Sequence, residues 1–386
     1  MYKITALNKI SAAGLSRLSD AYTLTDDLAA ASGILVRSHD MLDMAFPDTL
    51  LAIARAGAGV NNIPIARCSE EGIVVFNTPG ANANAVNELV IAAMLLAARN
   101  LPDALDWTKT LTTDVASAVE KGKSRFAGSE LQGKTLGIIG LGAIGVLVAN
   151  TAEKLGMRVI GHDPFITVRA AHKLSNNADM AKKLDALLPQ CDYLTLHVPS
   201  IESTKGMIDK AQFAQMKKGV CLLNFSRGDL VNHGDLFDAI NAGVVGRYIT
   251  DFPEDDLLGK AGVVCLPHLG ASTAEAEEYC ALMAVNQLMD YLENGNITNS
   301  VNFPKTNLGA FDHTAAVCRV CILNKNIPAM LRRITSVFED INICDMINKS
   351  KGDYACTIID VDSEVDDEAL KKLLALDGIV SVRIIR

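Results

Sequence analysis

Gly140-Leu141-Gly142-Ala143-Ile144-Gly145 follows the apolar run Thr135–Ile139 and opens the helical pattern Ala143–Leu155. The fold of the chain turns on this stretch. A Gly-x-Gly-x-x-Gly alone often marks only a tight turn. Between a strand and a helix, its first glycine permits the turn and its second lets backbone approach a pyrophosphate. The third lets the helix pack on the strand, and the helix N-terminus faces the negative charge. A second strand pattern, Arg158–His162, ends at Asp163. That is about twenty residues on, where a carboxylate accepts hydrogen bonds from ribose hydroxyls and repels a 2′-phosphate. The spacing predicts NAD as cofactor.

Working outward, strand patterns recur at Tyr193–His197, Val220–Asn224, Arg247–Asp251 and Val263–Leu266, with helical patterns such as Gly234–Ala242 between several of them. Strands alternating with helices predict a parallel, doubly wound sheet. Upstream, Gly33–Ser38 and Gly72–Asn77 read as buried parallel strands with polar ends, and Asn77-Thr78-Pro79-Gly80 as a turn. Val86, Leu89, Val90, Ala93, Met94 and Ala97 then recur at helical spacing to about Asn100.

Downstream, an Ala- and Glu-rich helix runs from about Gly270 to Glu293, and a linker spans residues 300–310. The tail reads as strand Val317–Leu323, helix Pro328–Asp340, strands Ile343–Asn348 and Tyr354–Asp360, helix Glu368–Leu376 and strand Val380–Ile385. That is a βαββαβ order. The expected architecture is α/β: two Rossmann-like, doubly wound parallel-sheet domains and a C-terminal α+β domain. Residues 1–82 and 270–305 form a discontinuous substrate-binding domain, 83–269 the cofactor domain and 313–386 the third.

Composition narrows the function. The 386 residues carry 36 Lys and Arg against 45 Asp and Glu, a net charge of −9, with 49% hydrophobic residues. That balance suits a soluble globular protein and offers no basic face to nucleic acid. No run of about 18 apolar residues predicts a membrane span, and the first residues lack the apolar core of a secretion signal. Nine cysteines lie without framework spacing, mostly in apolar runs. Reduced thiols in a cytoplasmic protein follow. Cys318-x-x-Cys321 looks like half a zinc site, but a strand turns positions three apart to opposite faces, so no metal is expected.

Ligands of a doubly wound sheet bind beyond the C-terminal strand ends. Those ends carry His197-Val198-Pro199, Asn224-Phe225-Ser226-Arg227-Gly228 and Pro267-His268, with Asp251 and the acidic run Glu254-Asp255-Asp256 between the last two. Beside a nicotinamide, such a set suits hydride transfer at a 2-hydroxy acid. A fixed cation grips the carboxylate and polarises the carbonyl, a histidine exchanges the hydroxyl proton, and an acid tunes the histidine. His197 reads as a cofactor-positioning residue.

These motifs, with Asn77–Gly80 and Arg55–Asn62, resemble the D-isomer-specific 2-hydroxy acid dehydrogenases over nearly all of residues 1–305. Within that family the likeness is strongest to members that oxidise D-3-phosphoglycerate to 3-phosphohydroxypyruvate with NAD, the first committed step of L-serine biosynthesis. The resemblance implies Arg227 on the substrate carboxylate, His268 as acid–base and Asp255 as its acidic partner, with Glu254 and Asp256 as rivals in a compressed loop. It implies cofactor contacts from Gly140, Gly142, Ala143, Ile144, Gly145, Asp163, His197, Val198, Pro199, Thr204, Phe225, Ser226, Asp251 and Gly270. Arg37, Ser38 and Arg55 would meet the substrate phosphate, and backbone at Ala56, Gly57, Ala58 and Gly59 its carboxylate. Two guanidiniums suit a phosphate, since each can bind two oxygens. A homodimer or homotetramer is implied. Reduction of another 2-oxo acid, such as hydroxypyruvate or 2-oxoglutarate, and a non-catalytic NAD-sensing scaffold remain as alternatives.

The tail resembles an ACT domain, an amino-acid-sensing module. The resemblance implies L-serine as an effector bound between modules of two subunits at Asn326 and Asn342. Ala329 stands where that motif usually has glycine, and Asn324 where feedback-inhibited relatives often have histidine.

Overall fold

The apolar runs of the first eighty residues form short parallel strands buried on both faces. The computed structural model describes residues 1–386. Strands β1 (Tyr2–Ala6), β2 (Tyr22–Leu24), β3 (Gly33–Val36), β4 (Ala52–Arg55) and β5 (Val74–Phe76) pair in the order β2-β1-β3-β4-β5, all parallel. Their period of two sends Leu35, Ala54 and Phe76 to one face and Ile34, Ile53 and Val75 to the other. Helix Ala274–Asn294 supplies Ala281, Ala284, Val285, Leu288 and Leu292 to the first face, at spacings of three and four. Residues 1–81 and 277–386 form one compact unit, and residues 82–276 a second.

The second unit holds seven parallel strands: β6 (Thr135–Ile139), β7 (Arg158–His162), β8 (Asp179–Met180), β9 (Tyr193–Leu196), β10 (Val220–Asn224), β11 (Val245–Thr250) and β12 (Val263–Cys265). Their order, β12-β11-β10-β9-β6-β7-β8, reverses direction between β6 and β9. This is the switch point of a doubly wound sheet. Helix Ala83–Ala98 stops just before Asn100, whose left-handed φ of 50° turns the chain into helices Leu101–Lys109 and Val115–Gly122. No single helix in the chain is long and apolar enough to cross a membrane.

The tail forms an antiparallel sheet of β13 (Cys318–Lys325), β14 (Ile343–Lys351), β15 (Tyr354–Val361) and β16 (Ile379–Ile385), ordered β14-β15-β13-β16. Helices Met330–Thr335 and Asp367–Leu374 cover one face, over Cys318, Val320 and Ile322. The first helix is shorter than its pattern predicts, because a 3₁₀ turn takes over at Ser336–Phe338. Ala329, just before it, has φ 67°, a left-handed conformation in which glycine would be unstrained.

The other face of this sheet is not left to solvent. Cys321, Leu323, Cys356 and Ile358 enter the same core as β1–β5 and helix Ala274–Asn294. Cys318 and Cys321 therefore face opposite cores. Two arginines fasten the join. Arg319, 1% exposed, binds Asp360 through two hydrogen bonds of 2.6 and 2.8 Å and donates to the carbonyls of Asn294 (2.9 Å) and Gly309 (2.8 Å). Arg383 donates to the carbonyls of Leu292 and Tyr291 and lies over the Tyr291 ring at 4.6 Å. The last carbonyls of a helix have no partner within it and carry partial negative charge, which suits guanidinium donors. The tail thus has a core of its own and completes another, where its sequence suggests a separate unit behind a linker.

Candidate active site and cofactor cradle

Parallel register brings the functional loops of the second unit to one edge. Ile139 pairs with Leu196, Leu196 with Asn224, Asn224 with Thr250 and Thr250 with Cys265. The strands end in one row, and the residues after each end carry the chemistry.

The glycine loop leaves β6 here, and each glycine has its own geometry. Gly140 has φ 93°, and a Cβ on it would strike the carbonyl of His197. A Cβ on Gly142 would meet nothing within 4 Å, so this side of the backbone is open to a ligand. A Cβ on Gly145 would run into the carbonyl oxygen of Gly140. Gly142 and Ala143 are exposed at the N-terminus of the twelve-residue helix Ala143–Lys154, while Ile144 packs into the core. Asp163 closes the loop, its carboxylate accepting from the Leu141 and Phe165 amides at 2.8 Å. This cradle fits a dinucleotide pyrophosphate. Gly145→Ala should destabilise the protein by about 1–3 kcal/mol through overpacking and weaken NADH binding. Urea titration and NADH fluorescence would measure the two effects.

His197 shares a 3.1 Å hydrogen bond with Thr195 Oγ1, while its Nδ1 is buried without a partner. Burial lowers its pKa to about 3, so the ring is neutral at physiological pH and donates no proton as an acid. Val198 packs into the core below, and the Thr204 hydroxyl donates to the Pro199 carbonyl at 2.6 Å, fastening the loop. Ser226 donates to the Leu196 carbonyl at 2.6 Å beside the buried Phe225. Asp251 is 1% exposed and accepts from the Gly270 amide at 2.9 Å through Oδ2. Its Oδ1 is buried with no partner, and burial raises its pKa. An orphaned acceptor here suits an amide donor such as that of a nicotinamide.

Arg227 and His268 flank one ring. The Arg227 guanidinium carbon lies 6.0 Å from the Phe252 centroid, and the His268 ring 4.8 Å from it. Both residues line a pocket of about 650 Å³ with Ser200, Asp229, Asp251 and Glu254. Asn224 sets the Arg227 turn by donating to its carbonyl at 2.8 Å. His268 has φ 49°. A strained non-glycine residue at a polar pocket is a recurrent mark of a working site.

Of the three acidic candidates, only Glu254 reaches the pocket. Asp255 is exposed and does not line the pocket, whereas Glu254 does. The turn at Phe252-Pro253 brings Glu254 back over Gly228, where a Cβ would lie 2.6 Å from its Oε1. Asp256 instead meets His233 Nδ1 at 3.0 Å, with Glu254 at 3.8 Å from the same atom. His233 opens the amphipathic helix His233–Asn241 and does not line the pocket.

In the first unit, Asn8 Oδ1 accepts from three successive amides, Arg37 (3.1 Å), Ser38 (3.0 Å) and His39 (2.9 Å). It fixes the loop that presents Arg37, a role with no signal in a lone asparagine. Arg55 donates to Asn62 Oδ1 at 3.2 Å, and its guanidinium lies against Gly57. The following loop is pinned from the Asn77–Gly80 turn. The Thr78 amide donates to the Gly57 carbonyl at 3.0 Å and Asn77 Nδ2 to that of Ala58 at 2.6 Å; Ala56 is buried and Gly59 partly so. In the tail, Asn326 donates to the Gly352 carbonyl at 3.0 Å, by the β14–β15 hairpin. The Asn342 carbonyl accepts from Asp362 at the opposite end of the sheet, so one chain does not bring the two together.

Residues 91–270 match the family described as D-isomer specific 2-hydroxyacid dehydrogenase, NAD binding domain. The D-3-phosphoglycerate dehydrogenase of Methanocaldococcus jannaschii is 35% identical over 304 residues, covering 76% of this chain and 55% of that protein. The chain thus spans about half the length of the first curated relatives it matches. The D-3-phosphoglycerate dehydrogenase of Haemophilus influenzae is 31% identical over 407 residues, covering 99% of this chain and 94% of that protein. Among solved structures, the NAD⁺-bound 3-phosphoglycerate dehydrogenase of Entamoeba histolytica aligns over 78% of this chain and 98% of its own, with a TM-score of 0.61 and 26% identity. By sequence over nearly its whole length, and by the strand-end loops of its second unit, this chain belongs to the D-isomer specific 2-hydroxyacid dehydrogenases, with their NAD-binding domain at residues 91–270.

Proposed function

We propose that the chain is an NAD-dependent dehydrogenase that oxidises D-3-phosphoglycerate to 3-phosphohydroxypyruvate, the first committed step of L-serine biosynthesis, as a cytoplasmic homo-oligomer. The observation that carries the chemistry is the pocket in which Arg227 and His268 flank Phe252 on the strand edge that also bears the glycine cradle. The substrate is argued from the near full-length likeness to the Haemophilus influenzae protein.

In this reading Arg227 binds the carboxylate and polarises the C2 oxygen as it becomes a carbonyl. His268 takes the hydroxyl proton, and Glu254, one of three carboxylates lining the same pocket, supports the charge that results. The neutral His197 and the cradle Gly140–Gly145 hold the cofactor, and Asp251 accepts from its amide. NAD, when bound, supplies the hydride acceptor. Arg37 and Arg55 bind the phosphate. Asn326 and Asn342 would bind L-serine between two chains.

The test is NADH oxidation followed at 340 nm with 3-phosphohydroxypyruvate, beside hydroxypyruvate, pyruvate and 2-oxoglutarate. The expected result is a strong preference for the phosphorylated acid. Activity only on the others would overturn the substrate, and activity on none would overturn the dehydrogenase reading.

A further inference from the structure

Arg37 is not simply a cation at the surface of the first unit. Its Nη1 lies 2.6 Å from Oε1 of Glu277, and the two side chains are 37% and 45% exposed. A half-exposed pair of this kind adds little to stability and exchanges readily. The two arginines also differ in how firmly they are held. Asn8 fixes the backbone that carries Arg37, but the Arg37 guanidinium is held by Glu277. Arg55 donates to Asn62, and its guanidinium lies against Gly57.

Arg55 pairs with Val36 across β3 and β4, so the two arginines leave neighbouring strand ends. Burial chiefly raises the pKa of the Cys280 thiol, one turn along the helix from Glu277; Arg37 and Arg55 act against that rise and Glu277 adds to it. Glu277 offsets the positive charge of Arg37. A phosphate monoester brings close to two negative charges at neutral pH.

We infer that Glu277 is a specificity-determining residue, a built-in counter-ion that a phosphate group must share Arg37 with or displace. This inference deepens the proposed function and rests on its assignment of Arg37 and Arg55 to a phosphate. It makes the arginine pair a weaker phosphate site than two free guanidiniums, and less disfavouring to monoanionic acids. Like charges brought together at a binding site cost affinity, and at half-exposed positions that cost is screened by salt.

The experiment compares wild type, Glu277→Gln and Glu277→Asp on the full-length protein. It measures KM for 3-phosphohydroxypyruvate and for hydroxypyruvate, and binding of inorganic phosphate by thermal shift without turnover. Glu277→Gln should lower KM for the phosphorylated acid by about 10-fold and tighten inorganic phosphate binding similarly, with hydroxypyruvate little changed. Glu277→Asp, which keeps the charge, should stay near wild type, and added salt should shrink the gap between Gln and wild type. Unchanged phosphate binding in Glu277→Gln, or equal changes for both substrates, would overturn the inference. If wild type turns over no phosphorylated acid yet phosphate binding tightens in Glu277→Gln, the substrate assignment fails and Glu277 keeps its role.

Discussion

His268→Asn is expected to lower kcat by about 10²–10⁴-fold, the usual size of a lost general acid–base contribution, while NADH still binds. Asparagine is the informative choice. His268 sits at φ 49°, where alanine would add backbone strain to the loss of the imidazole. Asparagine tolerates that conformation, so the loss reports proton transfer rather than a distorted loop. The Phe252 ring at 4.8 Å and the neighbouring Arg227 and Glu254 stay in place to bind substrate. KM should therefore move less than kcat. Steady-state kinetics decide the matter: a variant with near wild-type kcat would remove His268 from the mechanism.

The second large effect is on stability. Arg319→Ala should destabilise the protein by about 3–5 kcal/mol, the cost of leaving one buried charge without its partner. Asp360 loses both of its hydrogen bonds to Arg319, and the Asn294 and Gly309 carbonyls lose a donor. An apolar pair should do better than the single change. Replacing Arg319 and Asp360 together by leucines removes the buried charge and should recover part of the loss. Urea unfolding of the full chain measures both. A single-variant cost below about 1 kcal/mol would show that Arg319 does not bear on the join, since that is the range of a surface pair.

Much of the fold could be read from sequence because its signals are local. The glycine loop needs only neighbours in sequence, and the strands of the second unit are four to six residues of nearly continuous apolar text, β8 and β12 excepted. Strands β2 and β4 were harder to see, being three and four residues long with no alternation. The site divided in the same way. Arg227 and His268 follow strands and could be placed by register. Counting from Phe252-Pro253 favours Asp255 over Glu254, but a turn, not a count, decides which carboxylate faces the pocket. Asn8 and Glu277 act across long sequence separations on partners that neither residue's own surroundings reveal. The second core of the tail is hidden for a related reason. Alternation in β13 shows two apolar faces but not that the second one meets a distant helix.

That shared core bears on how the chain is made. The five-stranded sheet is complete by Phe76, yet the helix residues from Cys280 onward and the tail sheet that cover one of its faces come only after the 195 residues of the second unit, 82–276. At translation rates of about 5–20 residues per second, the half-covered sheet waits on the order of 10–40 s at the ribosome before its cover is synthesised. For that interval the nascent chain presents an apolar surface to the cell. The second unit is contiguous and can fold first, so the N-terminal sheet, although translated earliest, is the part of the molecule that a chaperone has most reason to hold.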